Sequence, residues 1–251
     1  MLNWAPARGL TVLVHTRLNP VALVTGAASG IGAACARSLA TYASGGLIMV
    51  DADEAALSAT ADALPSPPER VSTLAFDAAD PEAWKRAQTF IRTQYGRLDW
   101  AVAGVDAERR LEGAALPRAT LGVVNAVTPL MKGNLQGGTV VLALSAHAAK
   151  VDALLQLVRV AAKEGAAHKV RVNAVLSGAV ESALWRRDPD FATLIGEARD
   201  EIGALNHIAA HSIPLVRCGA SQDILRLVRL LLSDDSAVSG ATLAVDASPP
   251  L

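Results

Sequence analysis

Seven short apolar, β-branched runs, most of them nearly continuous in apolar residues, recur along the 251-residue chain with stretches of helical period between them. They are Val21–Thr25, Leu47–Asp51, Val71–Phe76, Asp99–Val102, Thr139–Leu144, Arg171–Val175 and Thr242–Asp246. A strand facing water on one side alternates apolar with polar residues. One that is apolar nearly throughout is covered on both faces, the condition inside a parallel sheet. The Ala-rich stretches Ile31–Ala43, Glu54–Leu64 and Pro81–Tyr95 read as helices, the last opened by Asp80-Pro81, an N-cap followed by proline. Gln222–Leu232 sets Ile224, Leu227, Val228 and Leu231 on one helical face. Alternation of strand and helix throughout predicts an α/β domain, a doubly wound, mostly parallel seven-stranded sheet with helices on both faces.

A chain that is 51% hydrophobic and 19% charged can fill such a core. Pro65-Ser-Pro-Pro68 is an ordinary helix-to-strand connection, and nothing marks a boundary inside residues 21–251. Residues 1–20 read as an N-terminal extension, with an edge strand, an oligomer arm and a disordered lead-in all open. Their apolar run Leu10–Val14 is too short for a signal-peptide core and runs into His15 and Arg17. No run approaches the ~20 apolar residues that span a bilayer. A net charge of -1 leaves no basic footprint for nucleic acid or an anionic membrane. Cys35 and Cys218 make neither a disulfide framework nor a metal cluster. The expectation is a cytoplasmic protein with neither nucleic acid nor membrane as partner.

The first strand passes into the first helix through Thr25-Gly26-Ala-Ala-Ser29-Gly30-Ile31-Gly32. Glycines there allow a tight turn and a close approach of backbone to a pyrophosphate. The N–H groups and positive dipole end of the new helix would hold the phosphates. The next strand ends in Asp51, where a carboxylate accepts hydrogen bonds from the adenosine ribose hydroxyls. It repels a 2′-phosphate, and no Arg or Lys stands at 27–29 or 52–53 to receive one. The pattern points to NAD rather than NADP, in a cleft to which Trp100 is expected to lie close.

With these marks the chain resembles the short-chain dehydrogenase/reductase family from about Val21 to Ala247, and the resemblance implies that family's Rossmann-like fold. Thr25 to Gly32 matches TGxxxGIG, whose counterparts here are Gly26, Ser29, Gly30, Ile31 and Gly32. Asp77 and Ala78, in Ala75-Phe-Asp-Ala78, match the place of the Asp that in the family contacts the adenine amino group. Arg171-Val-Asn-Ala-Val175 with Ser177-Gly-Ala-Val-Glu-Ser182 resembles RVNAVxPGxVxT, which assigns Val180 and Ser182 to the nicotinamide amide. Ile213–Arg217, Gln222–Ile224 and Ser239–Asp246 resemble the C-terminal signatures.

The family's catalytic pattern is a Ser that bonds the substrate carbonyl, a Tyr general acid in a YxxxK pair, a Lys that lowers the Tyr pKa, and an Asn. Ser145, at the end of Gly137–Ser145, fits the Ser. Lys150 is the best match to the Lys, to within one position of Val151, but only five positions beyond Ser145, and Ala146 stands in the Tyr position. The two tyrosines, Tyr42 and Tyr95, fall in helices far upstream. The Asn position reads Ala119, the NNAG region reads Ala103-Gly-Val-Asp106, and the PG turn has become Ser177-Gly178. His147 lies three before Lys150, on the same helix face, and an imidazole can supply a proton near neutral pH. His207 and His211 lack a third ligand, so no metal is expected. The substrate loop of the family falls at 181–211 and includes Trp185, Arg186, Arg187 and Phe191.

Two readings follow. In the first, the protein binds NAD(H) but has lost the ordinary proton relay, and is weakly active or a non-catalytic, regulatory subunit. It would assemble as a homo-oligomer or with an intact family member, through a stripe such as Leu154, Leu155, Leu157 and Val158. In the second, it is an active NAD-dependent dehydrogenase/reductase of a small alcohol or ketone, using Ser145 and Lys150 with His147.

Overall fold

The computed structural model describes residues 17–104, 115–145, 151–177 and 220–245. In chain order these form β1 (Val21–Thr25), α1 (Gly30–Ala40), β2 (Gly46–Asp51), α2 (Glu54–Asp62), β3 (Val71–Ala75), α3 (Pro81–Gln94) and β4 (Trp100–Gly104). There follow α4 (Ala115–Met131), β5 (Gly138–Ser145), α5 (Val151–Ala166), β6 (Val170–Ser177), α6 (Ser221–Leu232) and β7 (Thr242–Val245). The seven strands form one sheet in the order β3-β2-β1-β4-β5-β6-β7, every pairing parallel. The predicted doubly wound sheet is present.

Successive residues of a strand point to opposite faces. On β1, Val21 and Leu23 enter the core beneath α3, α4 and α5, while Ala22 and Val24 enter the one beneath α1, α2 and α6. Both layers are dry, which is why the strands read as apolar throughout. The exceptions are the two edge strands: β7, where Ala244 is exposed and the rest half-buried, and β3, where Thr73 and Ala75 are exposed. Each pairs with one neighbour only, β7 with β6 and β3 with β2, so less of it is covered. Helix α1 stops at Ala40 rather than Ala43, because the N–H groups of Tyr42 and Ala43 both turn back to the Leu39 carbonyl. Of the stripe on α5, Leu154 and Val158 are core, while Leu155 and Leu157 are half-buried.

The N-terminal ends of the strands are stitched by charge. Asp99, fully buried just before β4, accepts from the Val21 N–H at 2.9 Å. Its other oxygen takes the guanidinium groups of Arg17, at 3.1 Å, and Arg97. Arg17 itself is buried and also reaches Asp234 at 2.6 Å and the carbonyls of Gln136 and Gly137. One guanidinium thus ties the lead-in of β1, the entries to β4 and β5, and the turn after α6. Arg171, at the start of β6, bonds Thr139 Oγ1 and the carbonyls of Leu231 and Ser233. Burial pulls its pKa below the ordinary value, Arg17 adds repulsion, and Asp234 and Asp235 counteract both.

Removing one partner of a buried ion pair leaves the other charge without compensation. Asp99→Ala is therefore expected to lower the unfolding free energy by about 3–5 kcal/mol in urea denaturation. A loss below about 1 kcal/mol, the range of an exposed pair, would contradict the role given to this network.

Candidate functional site

In an open parallel sheet, ligands bind beyond the C-terminal ends of the strands, at the point where the strand order reverses. Here the order reverses between β1 and β4. The crevice is therefore bounded by the turn after Thr25 on one side and by Gly104 on the other.

That turn is built for close backbone approach. Gly26 and Gly30 have φ of 64° and 52°, in the left-handed region that side chains disfavour. A Cβ on Gly32 would overlap the Gly26 carbonyl oxygen, so only glycine lets α1 begin there. On the far wall, a Cβ on Gly104 would stand 2.7 Å from the Thr25 carbonyl oxygen and 3.1 Å from the Gly32 Cα. The departure from the family's NNAG run at this point thus coincides with backbone packed too closely for a side chain. Thr25 Oγ1 spans the crevice floor to the Gly104 carbonyl at 3.3 Å.

Helix α1 opens without a side-chain cap. Ser29 occupies the N-cap with extended backbone, yet its hydroxyl makes no capping bond and no acidic residue stands in the first turn. The first N–H groups of a helix are orphan donors that require an acceptor. Uncapped and free of competing carboxylates, this helix start offers Ser29, Gly30, Ile31 and Gly32 to an anion. These observations fit a pyrophosphate.

Asp51 is buried at the end of β2, 7% exposed. One carboxylate oxygen accepts from the Asp53 N–H at 3.0 Å and the other from the Ala28 N–H at 3.1 Å. It therefore caps its own turn and also holds the glycine turn. Asp77 is exposed beyond β3 and accepts from the Ala79 N–H at 2.9 Å. The Ala78 carbonyl accepts from Trp84 Nε1 at 2.9 Å, and Trp84 meets Phe76 edge-on at 5.0 Å. Trp84, which the sequence reading did not single out, thus backs the segment expected to border the adenine.

Trp100 is not close to this crevice. It begins β4, fully buried opposite Ala22 and Thr139, and four residues of strand, roughly 13 Å, separate it from Gly104. Its apolar setting suits the core at the other end of the sheet.

A family model described as enoyl-(acyl carrier protein) reductase matches residues 26–247. The chain belongs to the short-chain dehydrogenase/reductase family. It is similar to the 3-oxoacyl-(acyl-carrier-protein) reductase FabG of Thermotoga maritima, 28% identical over 253 residues that cover 90% of this chain and 96% of that protein. Among solved structures it resembles carveol dehydrogenase from Mycobacterium avium in complex with NAD, at 27% identity and TM-score 0.74, covering 91% of this chain and 96% of that one. It shares its fold with L-sorbose reductase from Gluconobacter frateurii, complexed with NADPH and L-sorbose, at 22% identity and TM-score 0.74, covering 92% and 96%. Short-chain dehydrogenases/reductases are oxidoreductases that bind nicotinamide cofactors.

At the other half of the cleft, Ser145 ends β5 half-buried, in register with Ser177 of β6. The Ser177 hydroxyl donates to the Leu144 carbonyl at 3.2 Å. Ala119, at the family's Asn position, is buried on α4 and offers no polar side-chain atom. His147, Lys150, Val180 and Ser182 lie outside the described residues, as do Cys218, His207, His211 and the segment 181–211. The tyrosines are far from Ser145. Tyr95, just past the end of α3, shares a 2.7 Å hydrogen bond with Ser72 and lies against Gly46, where β2 and β3 begin. Tyr42 follows α1, with the Arg229 guanidinium 5.8 Å from its ring centroid. Cys35 is no nucleophile, because burial pushes its thiol up to about 12 while Arg229 only partly counteracts. No group of three or more metal-ligating residues occurs among the described residues, and none of their helices is long and apolar enough to cross a membrane.

If the Thr25–Gly32–Gly104 contact sets the crevice, Gly104→Ala should destabilise the fold by about 1–3 kcal/mol through overpacking. Gly133→Ala, where a Cβ meets nothing within 4 Å, should change stability by under about 0.5 kcal/mol. Equal effects of the two in thermal denaturation would contradict the close-approach account.

Proposed function

We propose that this short-chain dehydrogenase/reductase binds NAD(H) and has lost the family's ordinary proton relay, so that it turns over weakly or serves as a non-catalytic, regulatory subunit. The observation that carries the reading is the contrast between the two halves of one cleft. The dinucleotide half keeps its glycines, an uncapped helix start and a carboxylate at the ribose position. In the other half Ser145 stands in place, while both tyrosines of the chain are engaged near the opposite end of the sheet.

The uncapped N–H groups of α1 and the Ser29 hydroxyl would hold the phosphates. Asp51 would accept from the ribose and exclude a 2′-phosphate by like charge, which favours NAD over NADP. Asp77 and Ala78 would border the adenine, and Lys150, Val180 and Ser182 the nicotinamide riboside. A bound nicotinamide supplies or accepts hydride. The protein's share is to place the carbonyl and to move a proton at its oxygen. Ser145 can hold that oxygen by a hydrogen bond, but a serine hydroxyl is a poor acid at neutral pH. A positioned general acid contributes roughly 10²–10⁴-fold. Proximity of the reactants survives its loss, so the expected outcome is a slow enzyme rather than an inert one.

A second reading rests on Ser145 itself, held half-buried at the C-terminal end of β5. There the protein reduces small ketones or oxidises small alcohols with Ser145, Lys150 and His147. Assembly with further copies, or with an intact family member, belongs to the first reading, and co-expression followed by affinity capture tests it.

Titration of the protein with NADH and NADPH, followed by a screen of alcohols and ketones at saturating cofactor, separates the readings. The expected result is micromolar binding of NADH, binding of NADPH weaker by at least ten-fold, and slow turnover, roughly 10²–10⁴-fold below the ordinary enzyme range. Turnover above about 1 s⁻¹, within the ordinary enzyme range and abolished by Ser145→Ala, would establish the second reading instead. Binding of neither cofactor would contradict both.

A further inference from the structure

The middle of the glycine turn is gripped by the strand and helix next to it. The Ala27 N–H donates to the Val50 carbonyl at 3.2 Å and the Ala28 N–H to the Asp51 carboxylate at 3.1 Å. On the other side of the same residue, the Thr60 hydroxyl, part-buried on α2, donates to the Ala28 carbonyl at 3.1 Å. Both peptide groups that flank Ala28 are therefore held, one by its N–H and one by its C=O.

The second hold carries the consequence. A trans peptide is planar, and its N–H points opposite to its C=O. The Ala28 carbonyl belongs to the same peptide plane as the Ser29 N–H, so a carbonyl fixed toward α2 turns that N–H away from α2, at the uncapped start of α1. The nearby glycines, at φ of 64° and 52°, have no Cβ with which to restrain this plane. A serine hydroxyl on the turn that makes no cap bond gives no local restraint either.

We infer that Thr60 is a positioning residue for the phosphate-binding turn: its hydrogen bond to the Ala28 carbonyl presets the Ser29 peptide for the pyrophosphate of the cofactor. This rests on the dinucleotide reading above. Thr60 touches no part of the ligand and acts through the turn alone. Without the hydroxyl, the peptide samples orientations that aim its carbonyl, rather than its N–H, at the phosphates, and binding is reduced by the fraction of time the turn is set correctly.

The test is isothermal titration of wild type, Thr60→Val and Thr60→Ser with NADH, ADP and adenosine. Valine keeps the branched shape and removes the hydrogen bond, and serine restores the hydroxyl. Thr60→Val is expected to weaken NADH and ADP by about five-fold or more, the range for one lost hydrogen bond. Adenosine, which lacks the pyrophosphate, should bind all three proteins alike, and Thr60→Ser should bind NADH within two-fold of wild type. Circular dichroism and melting temperature confirm that each variant is folded. Should Thr60→Val fail to fold, Thr60→Ser and Thr60→Ala with ADP replace it, with the same ordering expected. Unchanged ADP affinity in Thr60→Val, or equal losses for ADP and adenosine, would overturn the inference and leave the cofactor reading standing. Absence of NADH binding by the wild type would overturn both.

Discussion

A single buried carboxylate organises this domain. Asp99 has no access to water, and burial of an isolated charge is costly unless it is paired and hydrogen-bonded. It is satisfied only where Arg17, Arg97 and the Val21 N–H converge on it. Because those groups come from the lead-in to β1 and the turn before β4, meeting that requirement sets the two central strands side by side at a fixed height. Arg17 extends the same grip to the entry of β5 and the turn after α6. The strand ends on this side are bridged by side-chain polar contacts, and the glycine turn lies at the opposite ends.

The two edges of the sheet thus do different work. At the stitched edge, polar side chains satisfy one another and the carbonyls around them, and Tyr95 spends its hydroxyl on Ser72. At the other edge, Gly32 and Gly104 allow main chain to meet main chain, Gly26 and Gly30 take positive φ, and the first turn of α1 has no side-chain cap. In this family hydride chemistry also needs a proton donor at that edge. The account of a slow or silent enzyme comes from that imbalance, not from damage to the fold.

Much of this was legible in the sequence, for identifiable reasons. The nearly continuous apolar runs disclosed the parallel sheet because both faces of its inner strands are buried, and they misled at β3 and β7, which lie at its two edges. The spacing of Gly26, Gly30 and Gly32 disclosed the turn because left-handed angles at the first two favour glycine and a Cβ on the third would meet the Gly26 carbonyl. What stayed hidden depended on distant pairing. Arg17 looked like the end of an apolar lead-in, since nothing local announces that Asp99 and Asp234 await it. Trp100 was expected near the cleft from its place in the chain, but the direction of β4 carries it to the other end. Thr60 was invisible because a helical threonine has no signature for the carbonyl it meets. The roles given to Lys150, Val180 and Ser182 come from the resemblance, and that of His147 from its spacing to Lys150; all four lie outside the described residues.

The central claim is that residues 25–32 form a working dinucleotide cradle with a carboxylate that selects against a 2′-phosphate. Amide hydrogen exchange, followed by mass spectrometry with saturating NADH and then NADPH, reads that turn directly. The account predicts slowed exchange in peptides covering 25–32 and 74–80 with NADH, little change with NADPH, and no effect around Asp99. Uniform exchange with and without NADH across 25–32, or equal protection by both cofactors, would contradict it.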